Sequence, residues 1–164
     1  MPAPLAAGAA GAVTASATGT SATEINAAGA SGIESSVFGD VPAGQWYAEA
    51  VAWAAANGIV SGFGGGIFGP NEDVTREQLA AILLNYAGHK KLAIANTAYR
   101  AAAYIASYAD IDTVSDWAQE AMKWANSLGL INGRTANTLA PRGTATRAEV
   151  AAILQRFIMR IAAT

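Results

Sequence analysis

The chain has 164 residues, with ten Lys and Arg against twelve Asp and Glu and a net charge of −2. That balance offers no basic stripe for tracking phosphates, so nucleic acid is not an expected partner. The absence of Cys removes disulfides, thiolate zinc sites and thiol chemistry, and the 52% hydrophobic fraction overstates the core because much of it is Ala.

Residues 1–37 are rich in Ala, Gly, Ser and Thr, without Trp, and are expected to form a flexible tail. The first residues have no basic n-region, so an export signal is expected outside this chain. No apolar run approaches the roughly 20 residues that a spanning helix requires, and no membrane insertion is expected.

From residue 38 the sequence repeats itself. Trp46 and Trp117 stand 71 positions apart, and the same offset relates Trp53 to Trp124, Gly58 to Gly129, Pro70 to Pro141 and Arg76 to Arg147. Before the first Trp the offset is 70, pairing "FGDV" with "YADI". Two units result, 38–87 and 108–161, joined by a linker at 88–107 in which Tyr99 to Ala106 could form a short helix.

Each unit begins with an Asp and a turn, followed by a helical pattern. In the first, Trp46, Ala50, Trp53, Ala54 and Asn57 share a face; in the second, Trp117, Ala121, Trp124, Ala125 and Leu128 do. Gly58 and Gly129 then stand where a left-handed terminator is expected. An irregular loop carries one apolar plug, Phe68 or Leu139, before its Pro. A second helix follows, with Leu79, Ile82, Leu83 and Tyr86 or Val150, Ile153, Leu154 and Phe157 as its apolar face. The expected fold is all-α: tandem helix-loop-helix units that pack on one another as a small bundle, because two short helices cannot cover their own apolar faces.

The second helices open on "TREQ" and "TRAE". Thr75 with Gln78, and Thr146 with Glu149, satisfy the capping-box pattern. Capping does not call for the Arg between them, because a cation at a helix N-terminus lies against the positive end of the dipole. Arg76 and Arg147 are therefore either neutralised within the fold, by Asp73, Asp40 or Asp110, or face an anionic ligand through their planar forks. Trp46 and Trp117 are read as core or as stacking faces for a sugar; Asp40 and Asp110 as turn formers or ligand contacts. Glu49 and Glu120 are ordinary first-turn acids, His89 is a solvated linker residue, "NED" is too short for a calcium loop, and "GFGGG" reads as a turn. No nucleophile elbow, zinc motif or phosphate loop is present, so neither catalysis nor a cofactor or metal is expected.

In both units, "FGDVPAGQWYAEAVAWAAANGIVSG" with "IFGP" and "TREQLAAIL", and "YADIDTVSDWAQEAMKWANSLGLING" with "TLAP" and "TRAEVAAIL", the chain resembles the S-layer homology (SLH) domain family. The likeness is to the last two members of a three-repeat array. It implies non-catalytic attachment of an exported protein to the cell wall of a Gram-positive bacterium, through grooves between repeats that bind an anionic, pyruvylated secondary wall polysaccharide. It further implies Arg76 and Arg147 as carboxylate contacts, Asp40, Asp110, Trp46 and Trp117 as groove lining, and Gln78 and Glu149 beside them, Gln78 departing from the family's Glu. With only two repeats, a third is expected from outside the chain or from a homo-oligomer. The competing expectation is a surface-layer self-assembly module that binds no glycan.

Overall fold

The computed structural model describes residues 37–93 and 107–162; the expected tail and most of the linker, including the short helix at 99–106, lie outside them. Four α-helices carry the described fold: α1 Ala48–Ala56, α2 Arg76–His89, α3 Gln119–Ser127 and α4 Arg147–Ala162. Two isolated antiparallel bridges occur, and no strand forms among the described residues. No helix there is long and apolar enough to cross a membrane.

The first helix of each unit begins later than the Trp that announces it. Tyr47 and Ala118 occupy the N-cap positions and make no side-chain cap hydrogen bond; Trp46 lies in the turn before α1 and Trp117 in a short 3-10 segment, Asp116–Ala118. Both helices end as expected, on Gly58 and Gly129 with φ of 66° and 68°. The Ile59 N–H returns to the Ala54 carbonyl at 2.9 Å and the Leu130 N–H to that of Ala125 at 2.8 Å, which takes up carbonyls the helix end leaves bare.

The main core crosses the boundary between the sequence units. Leu79, Leu83 and Ala87 of α2 pack with Ala121, Met122, Trp124 and Ala125 of α3 and with Ile153 and Phe157 of α4. Only a small satellite of Phe38, Val41 and Val51 belongs to the first unit's opening segment. The predicted inward face of α3 is buried, Trp124 being 4% exposed, whereas its counterpart in the first unit lies open, Trp53 on α1 being 49% exposed and Trp46, in the turn before it, 91%. The physical reason is cover: α2 lies across α3, and no described helix lies across α1 in the same way.

Candidate functional site

The irregular loops are fixed by the early acids. Asp40 accepts the Phe68 and Gly69 N–H groups at 2.8 and 2.7 Å, and Asp110 accepts those of Leu139 and Ala140 at the same distances. Each carboxylate thus clamps the apolar plug of its own unit, 28 to 30 residues further on. For Asp40 the Phe68 N–H leads in holding the carboxyl below its ordinary value. For Asp110, burial works against the charge, and the two backbone donors outweigh it. The clamp also holds Ala140 at φ 54°, a left-handed conformation that its counterpart Gly69 adopts at less steric cost.

The start of α2 is inserted into the second unit. Thr75 pairs with Thr144 in an antiparallel bridge; the Arg76 N–H reaches the Gly143 carbonyl at 3.0 Å, and the Glu77 N–H reaches that of Pro141 at 2.9 Å. Those acceptors satisfy backbone donors that a helix N-terminus leaves unpaired. Glu77 is buried and accepts from the Ser115 N–H and hydroxyl at 3.0 and 2.8 Å. The Thr75–Gln78 capping box forms as expected, as does the pair of bonds between Thr146 and Glu149.

Arg76 is buried, and its partners come from the other unit. Its Nε donates to the Leu139 carbonyl at 3.2 Å, its Nη2 to the Asn132 carbonyl, and its Nη1 pairs with Glu149 at 2.8 Å. Burial pushes the guanidinium pKa down, and Glu149 pushes it back up. The neutralising acid is therefore Glu149, the capping residue of α4, and neither Asp40 nor Asp73. Glu149 also takes two bonds from Arg134, Nε to Oε1 at 3.2 Å and Nη2 to Oε2 at 3.0 Å. The Arg134 fork, with the Thr146 N–H next, holds the Glu149 carboxyl down to about 2.

These groups meet at a cavity of about 280 Å³, lined by Arg76, Asn132, Gly133, Arg134, Glu149 and Arg156 over an apolar floor of Leu130, Ile131 and Ile153. Three guanidinium groups face one carboxylate. Arg156 donates to the Leu130 carbonyl at 3.1 Å and has no ion pair among the described residues, so most of its fork remains for a ligand. Gly133 lets the wall approach, because a Cβ there would come within 2.5 Å of the Tyr108 ring.

Of the residues singled out in the sequence, Arg76 and Glu149 meet at this cavity. Gln78 lies at a small cleft on the first unit with Ser61 and Asn85. Asp40 and Asp110 sit beneath the loops they clamp, Trp46 is solvent-exposed, and Trp117 is half-buried with an indole N–H that finds no partner among the described residues. Arg147 is exposed and carries no ion pair among those residues. Sequence reasoning missed Arg134 and Arg156. The one signal for them was a break in the repeat, since their counterparts 71 positions earlier are Phe63 and Asn85.

The S-layer homology domain profile matches residues 37–80 and 107–151. The chain is 40% identical over 71% of its length to an exoglucanase, XynX, of Acetivibrio thermocellus, and 39% identical over 71% to an amylopullulanase of Thermoanaerobacterium thermosulfurigenes. It is 32% identical over 77% to a surface-layer 125 kDa protein of Lysinibacillus sphaericus. The matches cover 10%, 6% and 10% of those three proteins, so the chain spans a tenth or less of their length. No solved structure matches it.

Proposed function

The chain belongs to the S-layer homology domain family, and from that premise we propose that it anchors a surface protein to the cell wall by binding a pyruvylated wall polysaccharide in the Arg76–Arg134–Arg156 cavity. The family is one of cell-wall anchoring modules, and its bearers here include surface-layer and cell-surface proteins, which supports an extracellular location. Two named glycosidases and a surface-layer protein share this segment as a small fraction of their length, which favours an attachment role over a catalytic one.

The observation that carries the reading is the cavity's charge. Glu149 pairs with both Arg76 and Arg134, so its single negative charge stands against three guanidinium groups, and the positive surplus suits a ligand carboxylate such as a pyruvate ketal. Arg76 is held rigidly by the Leu139 and Asn132 carbonyls, so little side-chain entropy is lost when an anion docks beside it. The apolar floor suits a sugar's C–H face. Glu149 keeps the forks oriented, while Asp110 fixes the loop that presents the Leu139 carbonyl to Arg76. Trp117 and Arg147 on the second unit, and Asp40, Trp46 and Gln78 on the first, belong to the grooves this reading assigns to neighbouring units.

Calorimetric titration with purified wall polysaccharide tests the proposal. Binding is expected to disappear when pyruvate is removed from the glycan. Arg156→Ala should weaken it by about tenfold or more, the loss of one charge-assisted hydrogen bond of roughly 1.5–3 kcal/mol. Undiminished binding to the depyruvylated polymer would overturn the assignment.

A further inference from the structure

The chain carries a second, incomplete version of the interface that joins its own two units. Ile59, Val60, Ser61, Gln78, Ile82 and Asn85 line a shallow cleft of about 10 Å³, and each stands 71 positions before a residue that lines the Arg76 cavity. The correspondence extends to bonding: the Asn85 Nδ2 donates to the Ile59 carbonyl at 3.3 Å, as the Arg156 Nη1 does to that of Leu130 at 3.1 Å. The cleft lacks the arginine that Arg76 contributes from a neighbouring unit. Arg147, 71 positions after Arg76, is exposed.

The helix faces show the same unfinished pattern. Leu83 and Ala87 of α2, buried against α3, are 5% and 0% exposed, whereas their counterparts on α4, Leu154 and Ile158, are 40% and 62% exposed. Trp53 on α1 is open where Trp124 on α3 is covered. One molecule therefore displays both halves of a joint, an α4 face that resembles α2 and an α1 face that resembles α3. The polar positions are compatible as well. Where Glu77 reaches Ser115, the counterpart of Glu77 is Ala148 and that of Ser115, in the opening segment where the offset is 70, is Gln45, so closing the second joint would bury no carboxylate there and orphan no hydroxyl.

We propose that the chain binds a second copy of itself head to tail, with α4 of one copy lying on α1 of the next as α2 lies on α3, and Arg147 entering the cleft at Ser61, Gln78 and Asn85. A second copy is the fitting occupant because the unused surfaces continue the geometry of the existing interface and are presented by the same molecule in the right polarity. Such a contact is heterologous, so it propagates into a ring or a filament according to the rotation at each joint.

Crosslinking tests this in a chain that has no cysteine of its own. Thr75 and Thr144 oppose each other in the internal bridge, and the corresponding positions of the second joint are Thr146 and Asp73. Opposed bridge residues lie within disulfide reach. A Thr146→Cys chain mixed with an Asp73→Cys chain of different mass is expected to give the mixed disulfide as the main oxidised product. Adding Arg147→Glu to the first chain should lower that yield at least tenfold. A Thr75→Cys/Thr144→Cys chain, which should close internally, serves as the positive control. Closure of that control without a mixed product would overturn the proposal, as would a mixed product insensitive to Arg147→Glu. So would a chain that stays monomeric while capturing an added repeat from a relative, which would seat a foreign unit in the cleft. No glycan is present in the experiment, so its failure leaves the reading of the Arg76 cavity intact, and failure of that reading leaves this one.

Discussion

Glu149 shows how one side chain can carry three roles. It caps α4, neutralises buried Arg76 and orients Arg134, and its carboxyl is held at about 2 against an ordinary 4.5. Above pH 4.5 both folded and unfolded chains carry the charge, and its stabilising contribution is fully present. As pH falls from about 4.5 to about 2, the unfolded chain takes up a proton that the folded chain resists, and the contribution drains away. Urea denaturation across that window should show wild-type stability falling more steeply than that of Glu149→Gln. The variant should start lower at pH 7 and converge with wild type near pH 2; parallel profiles would contradict this role. The Thr–Glu cap was legible in the sequence because capping is local, fixed by three residues of spacing. The ion pair to Arg76 was not, because its members are 73 residues apart and meet only through the docking of two units.

Helix location and type follow from local patterns, and burial follows from what lies across each helix. The positive-φ glycines at 58 and 129 end α1 and α3 where their spacing predicts. The apolar faces of α2 and α4 read alike in sequence, yet α2 is covered along most of its length and the outer half of α4 is not. The consequence is measurable at protein concentrations low enough to keep copies apart. Leu83→Ala should cost about 2–5 kcal/mol in urea denaturation, the range for emptying a packed leucine site. Ile158→Ala should stay within about 0.5 kcal/mol, as for a surface position. Equal costs would mean that the α4 face is already packed within a single chain.

At the scale of the molecule, the core joins what the repeat divides. α2 belongs to the first unit by sequence and to the second by packing, and Glu77 fastens it there through Ser115. Glu77→Ala should therefore shift a single thermal transition downward, without splitting it into two, as scanning calorimetry would show; two separated transitions would mean that the units fold independently. By itself the sequence determined the all-helical class, the two units, the glycine-terminated ends of α1 and α3, and the family, because each rests on short-range spacing repeated 71 positions apart. Only the tertiary structure decided which arginine is buried, which acid answers it, and that Arg134 and Arg156 share its cavity. A repeat specifies the same local conformation twice, whereas burial and charge pairing depend on which neighbour each copy has, and here the two copies have different neighbours.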